Sequence, residues 1–156
     1  QVDFEAQFDL LIKIRDKLSE THDAIVQLRG VRRQVDEWVR RSQGHSAADT
    51  ISDAAGLLNE KLTAIEDDLI QVAYRGARDR LNLPSKLNSK LAEISSVVAS
   101  ADFAPPKQAY DVFEDIAGRI DPRLDRLKAV VAEDVSSFVN LIHELDIPAI
   151  IPGSTP

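Results

Sequence analysis

Residues 3–43 read DFEAQFDLLIKIRDKLSETHDAIVQLRGVRRQVDEWVRRSQ, and their periodicity decides the fold. Phe4, Leu11, Ile14, Leu18, Ile25, Leu28, Val35 and Val39 fall on a stripe of alternating threes and fours interrupted only by Gln7, Thr21 and Arg32, the signature of one apolar face on an α-helix. A helix of that span is a rod of ~60 Å, and it survives only where neighbouring elements cover its apolar stripe along most of its length. The rest of the chain therefore has to supply those neighbours.

Working outward, Gly44 offers the left-handed stop that ends helices, and Ser46 with Asp49 resembles a capping box that starts the next one. A second stripe follows at heptad-like spacing: Ile51, Ala55, Leu58, Leu62, Ile65, Leu69 and Val72. It predicts a helix over about 47–82, ended by Leu83-Pro84. Leu87, Leu91, Ile94 and Val98 mark a shorter helix over 84–100. A fourth stripe, from Ala109 through Phe113, Ile116, Ile120, Leu124, Leu127 and Val131 to Leu145, predicts a helix over 106–145 with a kink at Asp121-Pro122.

The expected fold is all-α: an antiparallel up-down-up-down four-helix bundle, with three long helices, one short one and heptad-like packing. Residues 1–146 form the bundle, and 147–156 an extended apolar C-terminal tail. The short third helix is expected to leave an open groove between the other three.

Composition narrows the function. The chain has 156 residues, 19 basic and 26 acidic, for a formal charge of −7. An acidic balance argues against nucleic acid, whose binding rests on Lys/Arg neutralisation of phosphate. No apolar run approaches the ~20 residues of a membrane span. With no cysteine, disulfides, thiolate metal sites and Cys nucleophiles are excluded. The absence of methionine suggests a processed form or a piece of a longer protein.

Searching for chemistry yields little. Ser19, Ser42 and Asn140 stand three residues before His22, His45 and His143, so no Glu-x-x-His di-iron pair exists. Glu66-Asp67-Asp68 and Glu114-Asp115 read as solvated faces, His22 as a buried or boundary histidine, and Gly76 as a close helix contact. No catalytic, cofactor-binding or metal-binding residue is expected. Residues 29–41 hold five arginines against Asp36 and Glu37. The pairs Arg32/Asp36, Arg33/Glu37, Asp36/Arg40 and Glu37/Arg41 predict an i,i+4 ion-pair ladder. The alternative for Arg29, Arg33, Arg40 and Arg41 is an anionic docking patch, with Ile147, Ile150 and Ile151 of the tail as an apolar one.

Three stretches carry a family likeness: Gln7 to Asp23 (QFDLLIKIRDKLSETHD), Arg78 to Pro84 (RDRLNLP) and Gln108 to Phe113 (QAYDVF). They resemble the C-terminal helical region of large bacterial sortilin-like proteins with Asp-box (BNR) repeats, often labelled glycosyl hydrolases. The resemblance implies a helical domain following a β-propeller in an exported, extracytoplasmic protein. None of the propeller is in this chain. The implied role is a non-catalytic interaction or assembly domain, whose partner is its own propeller, a second copy in a homo-oligomer, or another protein. Two alternatives stand beside it: a lid or support for a glycoside-hydrolase-like enzyme, and a bundle binding a small apolar ligand.

Overall fold

The structure, a computed structural model, describes residues 2–100 and 103–147. The chain is an all-α bundle of four helices, with no strand among the described residues. Helix α1 spans Val2–Arg41, 40 residues. Ser42 and Gln43 turn off it, and Gly44 adopts φ 88°, the left-handed conformation expected of it. Helix α2 spans Ala48–Leu69. The Ser46/Asp49 box does not form: Ala47 is the cap, and its N–H donates to Nδ1 of His45 at 3.1 Å.

Helix α2 stops well short of residue 82, because the following backbone finds side-chain partners instead of helical ones. Ile70 turns extended, at φ −135° and ψ 145°. The Gln71 amide accepts from the Ala73 N–H at 3.2 Å and donates to the Pro84 carbonyl, also at 3.2 Å. The Tyr74 hydroxyl donates to the Leu83 carbonyl at 3.4 Å. Asp79, inside a 3₁₀ turn at Ala77–Leu81, accepts from the N–H groups of Arg75 and Gly76. Those two donors hold the Asp79 carboxyl below the usual carboxylate range. Residues 70–86 are thus a looped-out hairpin whose two ends meet.

That closure sets the direction of helix α3, Leu87–Ala99. It continues the way α2 was running, rather than reversing as the up-down-up-down expectation has it. Interhelical bonds fix the levels. Asn59 Nδ2 of α2 donates to Asp36 of α1 at 2.9 Å, and Gln7 Nε2 of α1 donates to the Val98 carbonyl of α3 at 2.6 Å. Helices α2 and α3 therefore lie end to end along α1, both antiparallel to it, the first on its C-terminal half and the second on its N-terminal half.

The fourth helix, α4, runs Lys107–Ala129, passes through a π-helical stretch Val130–Val135 and resumes over Ser136–Glu144. It is parallel to α1: the Tyr110 hydroxyl donates to the Ala6 carbonyl at 3.3 Å, and Lys17 pairs with Asp121 at 2.8 Å. Against the other track it is antiparallel, with Arg123–Asp68 at 3.0 Å and Lys61–Asp134 at 2.6 Å. At every level the bundle is three rods, one of them made of two helices. The groove expected between α1, α2 and α4 is absent, because α3 sits in the second rod's track instead of shortening a fourth.

Helix α4 includes Pro122 in its interior; Pro122 and Gly118 are both exposed, so the Gly118 carbonyl that lacks the proline's N–H can bond to water. Asp121 pairs with Lys17 of α1. A change of helical pitch lies at the π stretch, where Val130 is fully and Val131 partly buried. The core is the predicted one in most particulars, with Ile14, Ile25, Leu28, Ile51, Leu62, Ile65, Leu91, Ile120, Leu127 and Ile142 buried. At the start of α1 the buried line passes through Leu10, with Leu11 half-buried and Phe4 exposed. Thr21 fills a stripe position, its hydroxyl satisfied by the Lys17 carbonyl at 2.7 Å.

Candidate functional site

The most developed polar constellation lies where α1 crosses the end of α2. Glu66 is one turn beyond Leu62 and three residues before Leu69, which places it on the apolar face of α2. It is buried, its side chain 5% exposed, and each carboxylate oxygen accepts from one arginine. Arg29 Nε donates to Oε1 and Arg32 Nη1 to Oε2, both at 2.6 Å; Arg32 Nη2 reaches Thr63 Oγ1 at 3.2 Å. Burial pushes the Glu66 carboxyl up, but the Arg32 and Arg29 guanidinium groups outweigh it and hold the group below the usual range. The sequence reading of Glu66 as solvated surface is corrected here. Its spacing to Leu62 and Leu69 was the available signal.

Over this triad opens a cleft of about 670 Å³, lined by Val26, Arg29, Arg32, Arg33, Thr63, Glu66, Asp67 and Val72. Of the predicted intrahelical ladder, one rung forms: Arg41 Nε donates to Glu37 at 3.1 Å. Arg32 and Asp36 turn to α2 instead, and Glu37 takes Arg40 as well, which together hold its carboxyl low. Arg41 also stacks over Trp38, 5.6 Å from the ring centroid. Arg33 is exposed and pairs with no carboxylate among the described residues. The candidate patch therefore divides: Arg29 is tied to the bundle, Arg40 and Arg41 share Glu37, and Arg33 stands available.

A second feature is apolar. Phe4 and Phe8 are each 62% exposed, Phe103 and Val97 64%, and Val112 47%. The bonds from Gln7 to Val98 and from Tyr110 to Ala6 put all five at the same end of the bundle, where α1 begins, α3 ends and α4 begins. A cleft of about 550 Å³ runs between α3 and α4 there, with Ile94, Val97, Pro106, Ala109, Val112 and Ile116 in its walls. Ile147, a candidate contact of the tail, is instead buried in the core cluster; Ile150 and Ile151 lie outside the described residues.

His22 and His143 are exposed, contrary to the boundary position expected for His22, and His45 serves the α1–α2 turn. Gly76 is extended, at φ −159°, and a Cβ there would meet nothing within 4 Å, so it makes no close helix contact. Among the described residues no group of three or more His, Asp or Glu could hold a metal ion, and no helix is long and apolar enough to cross a membrane. Set against protein-family models, curated proteins and solved structures, the chain matches none.

Proposed function

We propose that this chain is a non-catalytic helical interaction domain that assembles a larger exported protein, docking through the apolar end of the bundle. The observation that carries this reading is the exposure at this one end of Phe4, Phe8 and Phe103, together with Val97 and Val112, which line the α3–α4 cleft. Side chains this large are held in water at a cost of about 1.5–3 kcal/mol each relative to full burial, and contiguous exposed apolar surface marks a contact site. Three of the chain's five phenylalanines are spent outside its core at this one end. The resemblance to sortilin-like Asp-box proteins supports a preceding propeller as the partner, since residue 2 enters α1 beside these side chains.

The test places a photoreactive benzoylphenylalanine at Phe8 in the full-length protein, with Leu57, equally exposed at the other end, as control. Cross-links from position 8 should map to one contiguous surface of the parent polypeptide and be absent from position 57. No product at 8, or the same products from both positions, overturns the proposal.

A further inference from the structure

The arginine cleft lies about 30 Å along α1 from the apolar end, counting 1.5 Å for each residue between Phe8 and Arg29. Its chemistry is different. Three guanidinium groups face two carboxylates, one of which, Glu66, is buried beneath them. The cleft is locally positive on a chain whose formal charge is −7. Glu66 engages one nitrogen of Arg29 and one of Arg32, and a guanidinium has five N–H donors. Both arginines are thereby fixed in direction while retaining donors for a second acceptor. Arg33, beside them, pairs with no carboxylate among the described residues. Val26 and Val72, 67% and 43% exposed, form apolar walls on the same cleft.

We infer that this cleft is a second docking site, which takes an acidic side chain of a partner polypeptide together with an aliphatic residue next to it. A carboxylate matches the planar donor fork of arginine, and oriented arginines bind it with less ordering cost than free ones. The apolar walls select a polypeptide over a bare anion. The surrounding negative charge selects against a polyanion such as nucleic acid, which would lay further phosphates against an acidic surface. This site goes beyond the apolar end and does not depend on it.

The experiment titrates the ¹⁵N-labelled chain with the peptide acetyl-Leu-Glu-Leu-Glu-amide, with its glutamine counterpart acetyl-Leu-Gln-Leu-Gln-amide, and with inorganic phosphate. The glutamate peptide should give saturable amide shifts at Val26, Arg29, Arg33, Thr63 and Val72. Affinity should fall at least tenfold for the glutamine peptide and for Arg33→Glu, and severalfold as salt shortens the screening length below its ~8 Å at 0.15 M. Arg33→Glu should lower the melting temperature by no more than about 2 °C, the cost of a like charge four residues before Glu37, because Arg33 supports no ion pair among the described residues. Phosphate binding as tight as the peptide's, equal shifts from the glutamine peptide, unchanged binding in Arg33→Glu, or no saturation each overturns the site. Shifts confined to Phe4, Phe8 and Val112 overturn this site while leaving the apolar end standing.

Discussion

Replacing Glu66 by Gln and, separately, by Leu separates the two contributions that meet at this side chain. Its carboxylate is buried and accepts one bond from each of Arg29 and Arg32 at 2.6 Å. Two hydrogen bonds to charged groups, at about 1.5–3 kcal/mol each, set an upper bound near 6 kcal/mol. Arg29 is 49% exposed and Arg32 26%, so both guanidinium groups regain water when the partner is lost. Discounting for that solvation leaves about 2 kcal/mol for Glu66→Gln, which keeps the shape but turns an N–H₂ toward a cation. Glu66→Leu also removes the cost of burying the carboxylate and adds apolar contact beside Leu62, Ile65 and Leu69. It should stay within about 1 kcal/mol of wild type, because the two partly exposed guanidinium groups are re-solvated once the carboxylate is gone. With a urea slope of ~2 kcal/mol/M, the Gln variant's midpoint falls by roughly 1 M and the Leu variant's by half of that or less.

Acid titration adds a second arm. The folded pKa of Glu66 lies below its ordinary value of 4.5, so the unfolded chain binds the proton more readily. The stabilisation is complete above that ordinary value and disappears as pH falls through the folded pKa. As pH falls below 4.5 the wild type should therefore lose more stability than Glu66→Gln. Parallel curves, or a Leu variant weaker than the Gln variant, would refute the reasoning.

Other perturbations test other parts of the molecule. Leu91→Ala empties a fully buried position at which α3 meets α1. It should cost about 3 kcal/mol, or roughly 10 °C in Tm by calorimetry. Pro122→Ala restores an N–H donor toward the Gly118 carbonyl in the middle of α4. It should raise Tm by about 3 °C, and a fall would contradict the unbroken course of that helix. Asp79→Ala releases the Arg75 and Gly76 amides. Their hydrogen exchange should accelerate while amides in the middle of α1 stay unchanged; uniform acceleration would contradict a local role for Asp79.

The α-helical class was legible because each helix needs one apolar face, and period 3.6 records that face directly. The direction of α3 was not. Reversal after α2 was inferred from a short break at Leu83-Pro84, whereas α2 ends at Leu69 and residues 70–86 fold back on themselves. The bonds from Gln71, Tyr74 and Asp79 that achieve this are side chain to backbone, and no periodic pattern encodes them. Val72 misled for a related reason: it falls in phase with the α2 stripe but lies beyond the helix, half-exposed on the arginine cleft. The arginines were visible as a cluster from composition alone. Their partners were not, because i,i+4 spacing offered Asp36 and Glu37 while the fold supplied Glu66 from another helix. The apolar end was equally hidden: Phe4 and Phe8 continue the apolar pattern of α1, and only the levels of α3 and α4 reveal that they stay exposed among the described residues.

The whole account turns on α2 and α3 lying end to end, which brings the starts of α1 and α4 and the end of α3 to one exposed apolar end. The chain has no cysteine, so Asp53→Cys with Ser96→Cys, both at exposed positions, can be spin-labelled cleanly. Matching Asn59 to Asp36 and Val98 to Gln7 places the two labels about 33 residues apart along α1, or ~50 Å at 1.5 Å per residue. Dipolar electron resonance should return a single distribution near 50 Å. A distance below about 25 Å, as α3 folded back beside α2 would give, would contradict the structure and the docking end built on it.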